Sequence, residues 1–359
     1  MQLRALWLAD FRNYEQAQLD LVPGLTAVVG ANGEGKSNLL EAIGYLATLK
    51  SFRGAPTDAL VRNGAASAVA RAEGTRDGRD VLLEAEIVPS GRSRVMVNRQ
   101  RLGRARDLLG ALRVTVFSPD DLVLVKGSPA ERRSYLDEVL VALQPKSDVL
   151  RSELERVLRQ RNALLRQSGG RSTSEIETTL EVWDSKLVEV GESLADQRVA
   201  LIDRLRPLLN EAYGDVAGRV VDIDVRYQSH WRDAGLAAAL RDARRDELRR
   251  GVTLVGPHRD DVTLSIAGLP SRTHASQGEQ RSLALALRLA SHAVVERAVG
   301  EPPVLLLDDV FSELDPGRSR ALVEHLPKAQ AVLTTASELP AGSEPELVVR
   351  VAAGRLTIT

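Results

Sequence analysis

The stretch GANGEGKS at residues 30–37 constrains the fold of this chain most, because it matches the complete phosphate-loop pattern G-x-x-x-x-G-K-[ST]. An apolar run, TAVV, precedes it at residues 26–29, and apolar residues recur at helical spacing from Leu39 to Leu49. A strand, a glycine-rich turn and a helix in this order predict a loop whose backbone N–H groups and helix N-terminus surround a phosphate. The predicted fold class is therefore α/β.

Each part of this loop has a predicted role in binding ATP. Lys36 is expected to neutralise the β- and γ-phosphates and to act in catalysis, and the Ser37 hydroxyl is expected to ligate Mg²⁺. The predicted phosphate-binding residues are Gly30, Ala31, Asn32, Gly33, Glu34, Gly35, Lys36, Ser37 and Asn38.

A second candidate site is the run VLLLDD at residues 304–309, which indicates a buried strand that ends in two carboxylates. In P-loop enzymes such a strand lies beside the phosphate loop. Asp308 is then expected to hold Mg²⁺, directly or through water, and Asp309 to orient or deprotonate the attacking water. Together with the phosphate loop, this strand predicts a site for ATP hydrolysis.

Two polar stretches in the second half of the chain admit two interpretations each. SQGEQ at residues 276–280 satisfies the capping-box pattern before an apolar helix, but a helix start that contains glycine is also an anion site. SELD at residues 312–315 precedes Pro316 and fits a plain N-cap with proline at the first helical position. The residues alone do not choose between a structural cap and a functional site.

Composition limits the class of protein. The 359 residues carry a formal net charge of −1 and no cysteine, which excludes disulfides, thiolate metal sites and cysteine nucleophiles. No uncharged apolar run approaches the roughly 20 residues of a membrane span. We expect a cytoplasmic protein with no membrane partner, in which any binding of nucleic acid depends on local patches.

Changes of periodicity along the chain predict an α/β domain with an insertion. Short alternating runs between residues 80 and 117 indicate an antiparallel region. Residues 130–215 are helical and charged, with a turn at 168–174 between two helices, and their short heptad stripe indicates intramolecular packing. The predicted domains are an ATPase head at residues 1–120 and 250–359, with an antiparallel lobe at about 60–117, and a helical insertion at 121–249.

Two groups of arginines are candidates for contact with DNA. The first falls within fifteen residues that contain no acidic one, and comprises Arg92, Arg94, Arg99, Arg101, Arg104 and Arg106. Strand alternation places some of them on one face, which suits DNA phosphates, although a hairpin edge protected by charge explains the same pattern. The second group lies on the helical arm and comprises Arg151, Arg156, Arg159, Arg161 and Arg166. No aromatic ladder is present, which favours contact with a duplex backbone, with little sequence specificity, over base stacking.

The order of the motifs resembles the ATPase heads of the ABC family, and within it the Rad50/SMC-like branch. Longer stretches are similar to the RecF family. These are residues 117–137, which begin FSPDDLVLVKGSPAERR, residues 305–322, LLLDDVFSELDPGRSRAL, GPHRDD at 256–261 and FRNY at 11–14. The resemblance covers essentially the whole chain.

The resemblance implies an ABC-type head, with an antiparallel lobe and a short helical arm, that dimerises around ATP. The signature helix of one subunit would meet the γ-phosphate bound by the other. The residues so implied are Ser276, Gln277, Gly278, Glu279 and Gln280, with Ser312, Glu313, Leu314 and Asp315 as the D-loop. The resemblance also implies a clamp that binds DNA with ATP, releases it on hydrolysis, acts with RecR and RecO in loading RecA at single-strand gaps, and supports the SOS response.

Some positions depart from the wider ABC pattern. Transporter-type ATPases usually place glutamate where this chain has Asp309, and the shorter side chain predicts slow turnover. Thr334 or Thr335 stands where a switch histidine is usual, and no Gln-loop residue is evident. The roles of these threonines, of Arg53 and of His258 in GPHRDD stay open at this point.

Other classes of protein account for fewer of these features. A transport ATPase is disfavoured because 238 residues, many of them in the helical arm, separate the phosphate loop from SQGEQ. A Rad50/SMC-type tether needs much longer coiled arms. A small-molecule phosphotransferase leaves SQGEQ and SELD unexplained.

Overall fold

The computed structural model describes residues 1–76, 78–91, 93–336 and 338–358. Within these ranges the strands are β1 Gln2–Phe11, β2 Tyr14–Asp20, β3 Leu25–Val29, β4 Ala68–Arg76, β5 Arg79–Ile87, β6 Arg94–Val97, β7 Gln100–Arg101, β8 Val114–Phe117, β9 Ile223–Gln228, β10 Asp261–Ile266, β11 Leu269–Pro270, β12 Val304–Asp308, β13 Ala331–Thr335, β14 Leu347–Ala352 and β15 Arg355–Ile358. The α-helices are α1 Lys36–Thr48, α2 Val123–Lys126, α3 Pro129–Leu143, α4 Ser147–Gln167, α5 Ser174–Ala217, α6 Leu236–Arg250, α7 Ser271–His274, α8 Gln277–Val299 and α9 Pro316–His325. None of these helices combines the length and apolar character needed to cross a bilayer.

Backbone contacts divide the chain into two compact units. The first contains Met1–Leu122, Leu208–Val221 and Ser276–Thr359, and the second contains Val123–Pro207 and Asp222–Ala275. The end of α5 therefore belongs to the first unit, and the GPHRDD segment belongs to the second. The domain boundaries at residues 120 and 250 stay a prediction.

Two six-stranded sheets and α1 form the core of the first unit. One sheet is antiparallel, in the order β2-β1-β4-β5-β6-β7, and the other has the order β15-β14-β3-β13-β12-β8. Leu39, Leu40, Ile43 and Leu46 recur on α1 at helical spacing, and all four are fully buried in one cluster with residues of both sheets. The predicted α/β fold with an antiparallel lobe is confirmed.

The antiparallel sheet does not have the predicted extent. It includes β1 and β2, which lie outside the region expected for it. The strand β8, which was expected within the antiparallel lobe, instead pairs in parallel with β12, and Phe117 lies opposite Leu307. A four-residue apolar strand fits either sheet by its alternation, so its partner is decided by packing that the local pattern does not contain.

Parallel pairing brings the carboxyl ends of three strands to one edge of the second sheet. The strand β13 pairs in parallel with β3 on one side and with β12 on the other. In this sheet β13 lies between the acidic strand β12 and β3, the strand that leads into the phosphate loop. The buried strands predicted at residues 304–307 and 331–335 are confirmed.

The second unit contains a helical hairpin and a small sheet. The helices α4 and α5 are separated by residues 168–173, which confirms the predicted turn. Leu165, Leu180 and Leu248 form a small buried cluster, and Leu187 and Leu194 of the heptad stripe are also buried within the chain. The strands β9, β10 and β11 form a three-stranded antiparallel sheet. The stripe is therefore covered by the chain itself.

His292 is buried where α8 packs on β8, and this position makes the first unit sensitive to acid. Its Nδ1 lies 3.1 Å from Thr115 Oγ1, and its Nε2 is buried with no hydrogen-bond partner among the described residues. Burial lowers the pKa of His292 from 6.5 to about 4. The unfolded chain then binds this proton more readily than the folded one does. The contribution to stability is complete above pH 6.5 and is lost as the pH falls towards 4.

We expect His292→Gln to lessen this loss of stability in acid. For a shift of this size, the wild-type protein loses about 3 kcal/mol through this histidine. Urea unfolding between pH 4 and 7 measures the effect, and the variant should show the shallower fall. His230→Gln, at an exposed position, should keep the wild-type slope. Equal slopes for all three proteins would contradict the prediction.

Candidate nucleotide-binding site

The phosphate loop joins β3 to α1, and two of its glycines have a backbone conformation that favours glycine. Gly33 and Gly35 have φ angles of 85° and 109°, which residues with a Cβ rarely adopt. Lys36 is the first residue of α1, and its Nζ donates a hydrogen bond to the carbonyl oxygen of Ala31 at 2.9 Å. The Lys36 side chain is buried. The chain itself therefore holds the ammonium group within the loop.

The turn FRNY at residues 11–14 holds the phosphate loop from outside. The Tyr14 hydroxyl donates a hydrogen bond to the carbonyl oxygen of Gly35, and Asn13 Nδ2 donates one to that of Glu34, both at 2.9 Å. Burial raises the pKa of Tyr14, so its phenol stays a donor at neutral pH. A Cβ at position 35 would collide with the Asn13 amide. In the sequence, FRNY was notable only for its similarity to the RecF family. These contacts show that it supports the phosphate loop.

A buried carboxylate fastens α1 to the same turn. Glu41 is fully buried and accepts hydrogen bonds from Arg12 Nε and Nη2, both at 2.7 Å. It also accepts one from the Ser51 hydroxyl. A bidentate guanidinium–carboxylate pair of this kind fixes orientation as well as distance. The turn, α1 and the segment after α1 are therefore held together behind the phosphate loop.

Arg53 brings a positive charge to the same site. Its backbone N–H donates to Ser51 Oγ at 3.1 Å, and its Nη1 donates to Asn38 Oδ1 at 3.3 Å. The charge of Arg53 also acts to lower the pKa of Asp308. Sequence reasoning left this arginine without a role, and the structure places it within electrostatic reach of the acidic strand end.

Asp308, Ser37 and Thr334 meet at the carboxyl edge of the parallel strands. Thr334 Oγ1 donates to Asp308 Oδ1 at 2.8 Å and accepts from the Asp309 N–H at 3.0 Å. Burial raises the pKa of Asp308, and hydrogen bonds from Ser37 and Thr334 partly offset that rise. The threonine at the switch position therefore orients both aspartates of the strand end.

Asp309 has an unusual backbone and an unsatisfied side chain. Its φ and ψ angles are 48° and 26°, in the left-handed region that aspartate adopts more readily than most residues. Its Oδ1 is buried and has no hydrogen-bond partner within the described part of the chain. The Ser312 hydroxyl donates to the carbonyl oxygen of Asp309 at 2.8 Å, which links SELD to this position. A buried acceptor of this kind is costly unless a bound group supplies the donor.

The residues at this edge fit a magnesium ion. A hydroxyl from Ser37 and a carboxylate from Asp308 are oxygen ligands of the kind that Mg²⁺ takes beside nucleotide phosphates. The unpartnered oxygen of Asp309 follows directly in the chain. Ser37 and Asp308 stay the predicted magnesium ligands.

The N-terminal turn of α8 carries the predicted capping box. Ser276 Oγ accepts from the Glu279 N–H at 3.3 Å, and Glu279 Oε2 accepts from the Ser276 N–H at 2.8 Å. The hydrogen bonds from Ser276 lower the pKa of Glu279, and an ion pair with Arg219 adds to this. The cap accounts for the serine and the glutamate. It does not account for Gly278.

SELD lies against the start of α8 within the first unit. Asp315 caps α9, with its Oδ1 accepting from the Arg318 N–H at 3.0 Å and Pro316 at the first helical turn, as predicted. Glu313 forms an ion pair with Arg281 of α8 at 2.8 Å. The sequence allowed either a structural cap or a functional site for SQGEQ and for SELD. The structure connects SELD to α8, the helix that begins at SQGEQ.

Ion pairs make two arginines of the first candidate group, at residues 92–106, less suitable for binding DNA. Arg92 lies outside the described residues. Arg94 pairs with Glu86 at 3.4 Å, and Arg104 pairs with Asp107 at 3.3 Å. These carboxylates weaken the attraction of both arginines for phosphate.

The remaining positive charge is concentrated at the turn between β6 and β7. Asn98 and Arg99 both have positive φ angles, of 50° and 63°, as a two-residue hairpin turn requires. Arg99 and Arg101 are exposed and have no ion-pair partner among the described residues, whereas Arg106 is half-buried. The candidate surface therefore centres on Arg99 and Arg101.

The GPHRDD segment serves the packing of the second unit. His258 Nε2 lies 3.2 Å from the carbonyl oxygen of Thr253. Asp260 accepts hydrogen bonds from the Tyr227 hydroxyl at 2.7 Å and from Trp231 Nε1 at 2.9 Å. The His258 contact favours the interpretation of a turn held by local hydrogen bonds, and the Asp260 contacts tie that turn to β9 and to the segment after it.

The fold and the site define an ABC-type ATPase head. A family model described as the RecF/RecN/SMC N-terminal domain matches residues 2–348. The DNA replication and repair protein RecF of Streptomyces avermitilis is 47% identical over 352 residues, which cover 94% of each chain. The protein of the same name from Acidothermus cellulolyticus is 44% identical over an alignment of 361 positions, which covers 97% of this chain and 96% of that one. The chain belongs to the RecF family.

Solved structures agree with this assignment. A structure of the recombination mediator protein RecF with ATP, of the RecFOR pathway, matches with a TM-score of 0.91 at 28% identity, covering 100% of this chain and 97% of that chain. An SMC head bound to the C-winged helix domain of ScpA matches with a TM-score of 0.59 at 16% identity, covering 100% of this chain and 97% of that chain. The second likeness shows a shared fold.

Proposed function

We propose that this protein is an ATP-dependent DNA clamp of recombinational repair, which dimerises around ATP and releases DNA on slow hydrolysis. The observation that carries the proposal is the hydrogen-bonded group of Ser37, Asp308 and Thr334 beside the phosphate loop. Membership of the RecF family supports it, as does a relative solved with ATP. By the same relationship we propose a cytoplasmic protein that acts with RecO and RecR to load RecA at gaps and that supports the SOS response.

Each site residue has a separate role in ATP hydrolysis. Lys36 and the loop N–H groups bind the β- and γ-phosphates. Ser37 and Asp308 would hold Mg²⁺, which neutralises phosphate charge when bound. The unpartnered Oδ1 of Asp309 accepts a hydrogen bond from the attacking water and takes its proton. Because aspartate reaches less far than glutamate, single-turnover hydrolysis is slow, and rates typical of transporters would contradict this point.

The start of α8 serves the nucleotide of a second copy of the chain. A helix N-terminus attracts anions through its free N–H groups, and the phosphate loop already uses another helix for that purpose. In the dimer, residues 276–280 contact the γ-phosphate bound by the partner. SELD, which is joined to both Asp309 and α8, lies at the same contact.

Sedimentation of the wild type and of Ser276→Arg tests the proposal. Each protein is measured with ATP, with ADP and without nucleotide, and each condition with and without gapped duplex DNA. We expect a wild-type dimer with ATP that holds DNA, and at least tenfold weaker dimerisation in Ser276→Arg while the monomer still binds ATP. Ser128→Arg removes the N-cap serine of α3 and is the matched control. It should dimerise as the wild type does.

The opposite result would change the interpretation of α8. If the wild type stays a monomer in every condition and still hydrolyses ATP, SQGEQ is a helix cap and nothing more. The small-molecule phosphotransferase would then be the leading alternative. Loss of dimerisation in Ser128→Arg as well would attribute the effect to helix capping in general.

Reversing the charge at the β6–β7 turn is expected to weaken DNA binding. Each phosphate contact that is lost lowers the salt dependence of binding, so Arg99→Glu/Arg101→Glu should reduce the slope of log K against log salt by about 2. Affinity for duplex DNA with ATP should fall about tenfold or more at 100 mM salt. Arg241→Glu/Arg245→Glu makes the same change at exposed positions of α6 and is the control. Equal loss in both variants would indicate a general charge effect.

A further inference from the structure

Gly278 occupies a position where glycine has no conformational advantage. It is the second residue of α8, and its φ is not among the positive values of the described residues. Alanine would favour the helix at such a position, because glycine loses more backbone freedom on folding. The geometry of the helix alone therefore does not explain the glycine.

The space that a Cβ would fill at position 278 is occupied by the guanidinium of Arg318. A Cβ there would lie 2.7 Å from Arg318 Nη2 and 2.8 Å from Nη1, both closer than real contacts allow. The guanidinium is fixed on its other side, since Nε donates to Ser282 Oγ at 3.0 Å and Nη1 pairs with Asp315. Ser282 is fully buried. Moving the guanidinium aside would break these contacts.

A second arginine joins the same two segments. Arg281 Nη1 donates to the carbonyl oxygen of Glu313 at 2.8 Å, and Nη2 pairs with the Glu313 carboxylate at 2.8 Å. One arginine thus reaches from α9 to α8, and the other reaches from α8 to SELD. Two guanidinium groups therefore connect the start of α8 to residues 313–318.

We propose that Arg318 is a positioning residue that sets the first turn of α8 against SELD, and that position 278 is glycine in order to admit its guanidinium. This inference rests on the proposed function for its consequence in catalysis. If the start of α8 and SELD both meet the partner's nucleotide, a fixed geometry between them places them there together. Arg318 acts through Gly278 and Asp315, and not by contact with the reacting atoms.

A thermal cycle on the nucleotide-free protein tests the packing. The four proteins are the wild type, Gly278→Ala, Arg318→Ala and the double variant. We expect Gly278→Ala to lower the Tm by about 2 °C in the wild type but to raise it in the Arg318→Ala background, where the helix preference of alanine is the remaining effect. A shift of the same sign in both backgrounds would overturn the inference. This cycle needs no ATP, so it is decided even if the wild type never dimerises.

Single-turnover hydrolysis tests the positioning role. Gly278→Ala and Arg318→Ala should each lower the maximal rate at least tenfold, while the Kd of the monomer for ATP changes less than twofold. Arg318→Lys keeps the charge but lacks the fork that reaches Ser282 and Asp315, so it should not restore the rate. Arg320→Ala, at an exposed position of the same helix, should keep the wild-type rate. Wild-type hydrolysis by Arg318→Ala would sink the proposal.

Discussion

Asp309→Asn is expected to lower the single-turnover rate of ATP hydrolysis about a hundredfold or more, while ATP binding stays close to that of the wild type. The reason is that a carboxylate positioned as a general base contributes an effect of this size, and an amide cannot take the proton. Asp309 Oδ1 is buried without a hydrogen-bond partner in the described ranges, and it is the atom that we propose receives that proton.

Asparagine is chosen because it preserves the backbone at this position. Asp309 has a φ of 48°, and asparagine tolerates the left-handed region better than alanine or glutamate does. The hydrogen bond from the Asp309 N–H to Thr334 is also kept. A fall in rate then reports the lost base and not a rearranged loop.

The measurement uses excess protein and limiting ATP, with quenched samples followed over time. Asp120→Asn makes the same chemical change at an exposed position just after β8. The strand β8 is in the same sheet as β12, and this variant should keep the wild-type rate. Sedimentation of Asp309→Asn should show a dimer that persists with ATP, since binding survives without hydrolysis. A variant that hydrolyses ATP at the wild-type rate would remove Asp309 from the mechanism.

The parts of this site that are predictable from sequence are those with local causes. The phosphate loop needs glycines, a lysine and a hydroxyl at fixed spacing, and Gly33, Gly35 and Lys36 adopt the conformation that the pattern requires. The capping box at Ser276 is equally local, because its hydrogen bonds join residues three apart. Such features can be inferred from a few neighbouring residues.

The contacts that complete the site are long-range, and no short pattern contains them. Tyr14 reaches Gly35 across 21 residues, and Thr334 reaches Asp308 across 26. Thr334 and Thr335, the last two residues of β13, looked equivalent in the sequence. The sheet order singles out Thr334, because β13 lies between β3 and β12 and carries its hydroxyl to the acidic strand end.

The arginines of the helical arm show the same limit more sharply. All five lie on α4, and sequence reasoning grouped them as one candidate DNA surface. In the structure Arg156 is exposed and pairs with Glu153, whereas Arg161 is fully buried. Burial depends on which helix covers each face, so a charge count cannot separate a surface arginine from one in the core.

Arg161→Ala is expected to destabilise the second unit by about 3–5 kcal/mol, since it leaves the fully buried carboxylate of Glu247 without its cation. Arg161 donates to Glu247 at 2.6 Å, to Asp184 at 2.8 Å and to Thr253 Oγ1 at 2.8 Å. Glu247 is also fully buried, and its other oxygen accepts from the Leu254 N–H at 2.8 Å. This network joins α4, α5, α6 and the segment before GPHRDD.

Unfolding of the second unit can be followed on its own. Of the three tryptophans, Trp183 and Trp231 belong to that unit and Trp7 to the first, so a Trp7→Phe background makes fluorescence report on the second unit. Urea unfolding in this background should show the full loss for Arg161→Ala and a similar loss for Arg161→Met. Arg156→Met, which removes an exposed arginine from the same helix, should leave the midpoint unchanged.

The decisive variant removes the charge of both Arg161 and Glu247. Arg161→Met/Glu247→Gln replaces the buried pair by groups of similar volume, and the glutamine oxygen can still accept from the Leu254 N–H. Because the main cost of losing Arg161 is the carboxylate left behind, the double variant should recover at least half of the lost stability. A double variant no more stable than Arg161→Met would show instead that packing around the guanidinium, and not charge balance, holds the arm together.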